Sequence, residues 1–187
     1  MAIKTFGSEV LTSADTNTYL ANAGLVYVAS ATITAGASSV VVSNCFNSTY
    51  DRYKIVIESK VNTAGGNQGL TLTPNVTNSG NYTSVMWQVA GAVSTVNTAG
   101  VAAQTYYFCG YGGNAQMVVE VDNFNPRVGT GATGNLRWSS YDNSNSTGGT
   151  GTLWSTTTGT NTGFTFASGG GYTLGAGRVT IYGYRIA

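Results

Sequence analysis

The sequence predicts an all-β protein. Residues 25–187 form a jelly-roll-like antiparallel β-sandwich, and residues 1–24 form a short helical or extended anchor in front of it. Three observations carry this prediction. After Gly24 the apolar residues recur with a period of two, the spacing of a strand with one buried face. Runs of Gly, Asn, Ser and Thr separate these stretches at intervals typical of a sandwich. No strand alternates with a helical pattern long enough for a βαβ unit, which disfavours a parallel α/β sheet. An up-and-down barrel or a β-solenoid would also accommodate many short strands, although no internal repeat of fixed period supports the solenoid.

Residues 1–24 differ in character from the rest of the chain. Thr12-Ser13-Ala14-Asp15 fits a capping box, where a hydroxyl and a carboxylate satisfy the first free amides of a helix. Ala14, Tyr19, Leu20 and Ala21 would line one short helix, and Asn22-Ala23-Gly24 supplies a glycine stop. So short a helix needs a surface to pack against. Phe6, Val10, Leu11, Tyr19 and Leu20 are the residues with which it would dock.

The first strand begins at Leu25-Val26-Tyr27-Val28 and continues through Ala31–Thr34. Three consecutive valines mark a second over Ser38–Ser43. Arg52–Glu58 alternates most clearly, with Tyr53, Ile55 and Ile57 on one face and Arg52, Lys54, Val56 and Glu58 on the other. Further strands are predicted at Gly69–Thr73, Tyr82–Val89, Thr105–Cys109, Gln116–Val121, Asn135–Tyr141, Gly151–Ser155, Gly163–Ala167 and Arg178–Arg185. Asn143–Thr150 and Thr156–Gly163 are so rich in Gly, Ser, Thr and Asn that they are assigned to loops, either adaptable recognition loops or ordinary solvent loops.

Composition narrows the function. The chain has no histidine, so no imidazole serves as general base or metal ligand. Eight basic and seven acidic residues leave a net charge of +1, which gives no electrostatic case for nucleic acid or anionic lipid. With so little charge, the surface either relies on hydroxyls and amides for solubility or is hidden in a homo-oligomer or larger particle. No apolar run approaches a membrane span. The opening Met1-Ala2-Ile3-Lys4-Thr5-Phe6 lacks the apolar stretch of a signal peptide, so synthesis in a reducing cytoplasm is expected. Cys45 and Cys109 lie among apolar residues as small buried hydrophobes, and the spacing leaves a disulfide between them open.

Several motifs imitate chemistry. Gly129-Thr130-Gly131-Ala132-Thr133-Gly134 spells a dinucleotide fingerprint, and Gly110–Ala115 spells a looser one. Both lead into strands, whereas pyrophosphate binding needs a helix N-terminus. Glu120 and Asp122 share a strand face within plausible reach of each other, and read as a solvated strand face rather than a catalytic carboxylate pair. Asp122–Asn125 and Asp142–Asn145 offer oxygen ligands without the full calcium-loop pattern, and read as turns. No catalytic residue, metal or cofactor is expected. Trp87, Trp138 and Trp154 with several tyrosines would form either core or a sugar-stacking platform, with Tyr141 and Trp154 the candidates for surface recognition.

Three segments carry a family resemblance. Lys4–Asn17 resembles the F-x-x-G-E-V-L-T-A-A-D-x-N opening of many tailed-phage virion proteins, with Ser13 in place of the commoner alanine and Gly7 one place early. Phe46–Ile57 is similar to a strand of small marine-phage and cyanophage structural proteins. Val179–Arg185 looks like the closing strand of the same group. The resemblance implies a non-enzymatic virion protein made in the host cytoplasm, usually trimeric, with an N-terminal anchor and a β-sandwich head. Its implied place is on the capsid as decoration or cement, or at the tail as a fibre or receptor-binding part that contacts host glycans. Its partners would be its own copies and other virion proteins.

Overall fold

The structure is a computed structural model of the chain. It describes residues 3–5, 8–11, 24–62, 68–75, 82–90, 96–126, 133–141, 146–156 and 160–184; at 3–5, 8–11, 90 and 96–103 the description is of the backbone alone. Among the described residues there is no helix. The strands are β1 (Ile3–Thr5), β2 (Ser8–Leu11), β3 (Leu25–Ile33), β4 (Ser39–Val42), β5 (Arg52–Ser59), β6 (Val61–Asn62), β7 (Gln68–Pro74) and β8 (Tyr82–Ala90). They continue with β9 (Val96–Gln104), β10 (Tyr107–Gly112), β11 (Gln116–Asn125), β12 (Thr133–Tyr141), β13 (Ser146–Ser155), β14 (Phe164–Ser168), β15 (Thr173–Leu174) and β16 (Gly177–Tyr184).

These strands build the all-β, antiparallel sandwich that the sequence predicts. One sheet has eight strands in the order β3-β16-β5-β11-β12-β13-β8-β9, and the other has four in the order β10-β7-β14-β4. The chain passes back and forth between the two, so that β4, β7, β10 and β14 in the small sheet alternate with stretches of the large one. Two further pairs are small: β15 with β6, and the hairpin of β1 with β2.

The period of two explains why each strand lies as it does. In β5, Tyr53, Ile55 and Ile57 are wholly buried, while Arg52, Lys54, Val56 and Glu58 face outward, as predicted. In β12 the alternation runs without a break from Thr133 to Tyr141. The inward residues meet between the sheets. Phe46 stacks on Phe164 at 5.8 Å and meets Tyr53 edge-on at 4.8 Å, and Tyr107 stands against both Tyr82 and Phe124. Each such ring taken from water is worth roughly 2–3 kcal/mol. Tyr53 keeps its hydroxyl satisfied inside this cluster: it donates to the Asn47 carbonyl at 2.9 Å and accepts from the Asn47 amide at 2.8 Å.

Two expectations are corrected. The stretch assigned to a loop from Asn143 is strand from Ser146 onward, because β13 starts there and its glycines sit against Trp138. A Cβ on Gly149 would come within 2.3 Å of the Trp138 ring, so this strand needs glycine where the sequence suggests a turn. Asp122–Asn125 is likewise no turn. It is a bulge in β11, where the register slips against both neighbours and Asn123 takes a positive φ of 53°. Of the strands that the prediction does not list, β9 is the longest: it carries Val96-Asn97-Thr98-Ala99-Gly100-Val101-Ala102-Ala103-Gln104, whose small residues leave no alternating signal. The expected helix after Thr12 lies outside the described residues.

Candidate functional site

The outer face of the eight-stranded sheet gathers the exposed residues with the most to offer a partner. Alternation fixes which they are. In β12 the inward turn of Leu136 and Trp138 sends Asn135, Arg137, Ser139 and Tyr141 outward. In β13 it sends out Gly148, Thr150, Thr152 and Trp154, and in β8 Val85, Trp87 and Val89. Trp87 is 48% exposed, Trp154 43% and Tyr141 52%, all large rings left facing water.

The register aligns these residues across the strands. Trp87 pairs with Thr150, Thr150 with Arg137, and Arg137 with Glu120, so one row crosses β8, β13, β12 and β11. Val85, Thr152, Asn135 and Asp122 form the next row. Trp154 lies opposite Thr133, four residues to one side of the Trp87 row, and Tyr141 lies four residues to the other.

Two troughs run along this face. The apolar one, about 510 Å³, is walled by Trp87 and Val89 and floored by Gly148 and Gly149. The polar one is lined by Lys54, Glu120, Asp122 and Asn135. They share Arg137 and Thr150, so they are continuous. Lys54 holds Glu120 in an ion pair at 3.6 Å. Asp122 accepts from the Tyr184 hydroxyl and from the Asn123 amide, and Arg52 donates to Asn123 at 2.6 Å. Burial and the neighbouring Asp122 push the Tyr184 phenol up to about 12, so it stays a donor at neutral pH. Among the described residues the Arg137 and Asn135 side chains have no hydrogen-bond partner, and both line the polar trough.

The predicted site residues are placed as follows. Tyr141 and Trp154 share the outer face but lie about 26 Å apart along the strands at ~3.3 Å per residue. The three tryptophans divide: Trp87 and Trp154 are surface, and Trp138 is core, 2% exposed. Glu120 and Asp122 do share a face. Val10 and Leu11 fall on β2, with their side chains outside the described residues; Phe6, Tyr19 and Leu20 fall outside altogether. Asp142–Asn145 also lies outside. Cys45 and Cys109 are both free and buried, which settles the open pairing. Among the described residues no cluster of three or more His, Cys, Asp or Glu is placed to hold a metal. Sequence reasoning passes over Arg137 and Asn135, although the unbroken alternation around Leu136 and Trp138 is the signal that places them outside.

A scan against protein-family models and searches of curated proteins and of solved structures return no match to this chain.

Proposed function

We propose that this chain is a non-enzymatic virion surface protein of a tailed phage: a trimeric subunit that decorates or cements the capsid, attached through its first 24 residues with its β-sandwich projecting outward. The observation that carries this reading is the pairing of the N-terminal hairpin: among the described residues, β1 and β2 pair with each other and with no strand of either main sheet, as suits a separate attachment segment. The low charge and the absence of histidine support a structural role over a catalytic one. Removing residues 1–23 tests the proposal. The truncated chain should keep the head's cooperative unfolding and lose co-sedimentation with particles stripped of this protein. A truncated chain that still coats those particles would overturn it.

A second reading places the protein at the tail as a fibre or receptor-binding part that recognises host surface glycans. The exposed Trp87 indole beside an open trough on the outer face favours it, since an exposed aromatic ring on a sheet is suited to stacking. Cryo-EM of intact virions with a labelled antibody fragment separates the two. Label across the capsid lattice supports decoration, label at the tail alone supports receptor binding, and no label on any particle defeats both.

A further inference from the structure

We propose that the outer face of the eight-stranded sheet binds a neutral oligosaccharide that lies across the strands from Trp87 to Glu120, with Arg137 at its centre. This rests on the recognition reading and is independent of where on a virion the protein sits.

The row itself gives the length. Trp87, Thr150, Arg137 and Glu120 stand on four successive strands, so the row spans three strand spacings, ~14 Å at ~4.8 Å each. That is the length of a short run of linked sugar rings. At one end the Trp87 indole offers an apolar plane for the C–H face of a sugar, beside a trough left open because Gly148 has no side chain. At the other end the trough turns polar.

The polar end fixes the ligand class. A hydroxyl both donates and accepts, and this trough supplies both partners. Arg137 can donate alone, Glu120 and Asp122 accept, and Asn135 does both. The Arg137 and Asn135 side chains have no other hydrogen-bond partner among the described residues, so they are free to engage a ligand. Charge then excludes the alternatives. Two carboxylates and two cations line the same trough, so a polyanion meets Glu120 and Asp122 and a polycation meets Lys54 and Arg137. An apolar protein surface would strand four charged groups. A neutral, hydroxyl-rich chain satisfies them all.

The geometry also assigns a lesser part to the two residues the sequence singles out. Trp154 and Tyr141 each stand four residues from the row, ~13 Å along the strands. A chain lying on the row does not reach them.

The test uses the full chain and an array of linear neutral glucose-, mannose- and N-acetylglucosamine-based oligosaccharides, with sulfated and sialylated ones alongside. Tryptophan fluorescence titration measures affinity for each hit. At least one neutral oligosaccharide should bind. Trp87→Ala and Arg137→Ala should each weaken it by about tenfold or more, with the urea unfolding midpoint held as a check on folding. Gly148→Val should do the same by filling the trough; its added Cβ stands 3.2 Å from the Trp138 carbonyl oxygen, a tight backbone contact, so its urea midpoint is checked first. Trp154→Ala and Tyr141→Ala should stay within about twofold of the parent.

Neutral binding that survives Trp87→Ala and Arg137→Ala but is lost in Trp154→Ala or Tyr141→Ala overturns this site and leaves the recognition reading standing. Binding confined to sulfated or sialylated chains overturns the ligand class. A blank array defeats the recognition reading and this inference with it. Self-association in the ultracentrifuge that Trp87→Ala abolishes would make the face a contact between copies, and also overturns the proposal.

Discussion

Trp138 shows how single residues set this structure. Its indole is buried at the centre of the sandwich and fills the space that side chains at Gly149 and Gly110 would need. Gly110 also carries a φ of +92°, which an L side chain tolerates poorly. We expect Gly149→Ala to destabilise the fold by on the order of 3 kcal/mol. In combination with Trp138→Leu the loss should fall well short of the sum, because the smaller side chain frees the contested space. Urea unfolding of the two single variants and the double checks this; strict additivity would count against it. The thiols act in the same way through burial. Desolvation pushes Cys45 and Cys109 each up to about 12, and it raises the Tyr107 phenol well above its usual value. Their folded-state values lie above the unfolded ones, ~8.5 for a thiol and ~10 for a phenol. Their contribution is therefore complete below about pH 8.5 and is lost as pH rises toward 12. The urea midpoint should fall steadily between pH 9 and 11 by this effect, and at pH 8 a thiol-disulfide reagent should modify neither cysteine until the protein unfolds. Prompt labelling of the native protein would refute the second expectation, and a midpoint constant over that range the first.

At the scale of elements, β5 states the rule and β13 its exception. β5 lies between β16 and β11, with Ile55 and Ile57 wholly buried and Val56 facing outward. Ile55→Ala should cost about 2–5 kcal/mol, and Val56→Ala about 1 kcal/mol or less. Equal losses in urea unfolding would mean that the sheet buries both faces. From Arg52 to Glu58 this strand is legible in the sequence because each core position is a large apolar residue and each outer one is polar or smaller. β12 is legible on the same terms through Leu136 and Trp138. The first half of β13 is not, since Gly148, Gly149 and Gly151 carry no side chain from which a period could be read. Glycine there records the approach of Trp138 and of the β8 backbone, with the Val85 carbonyl 2.3 Å from where a Gly151 Cβ would stand. β9 escapes for a related reason, as its alanines and single glycine weigh little on either face.

Over the whole molecule, the pairing of distant strands makes the fold and the candidate site together. β16 inserts between β3 and β5, strands more than 100 residues earlier, so the large sheet joins distant segments. Such long-range pairing belongs to slowly folding β topologies. The same sheet brings Lys54 from β5, Glu120 and Asp122 from β11, Asn135 and Arg137 from β12 and Trp87 from β8 to one surface. The sequence by itself determined the all-β class, the position of most strands and which face of β5 and β12 turns inward. These follow from local periodicity, which the order of residues contains. The tertiary structure alone decided that Trp138 is core while Trp87 and Trp154 are surface, that Cys45 and Cys109 stay unpaired, and that Trp87 and Glu120 share one row. Those facts depend on strand order and register, which are set by packing between segments far apart in the chain and leave no mark within any one of them.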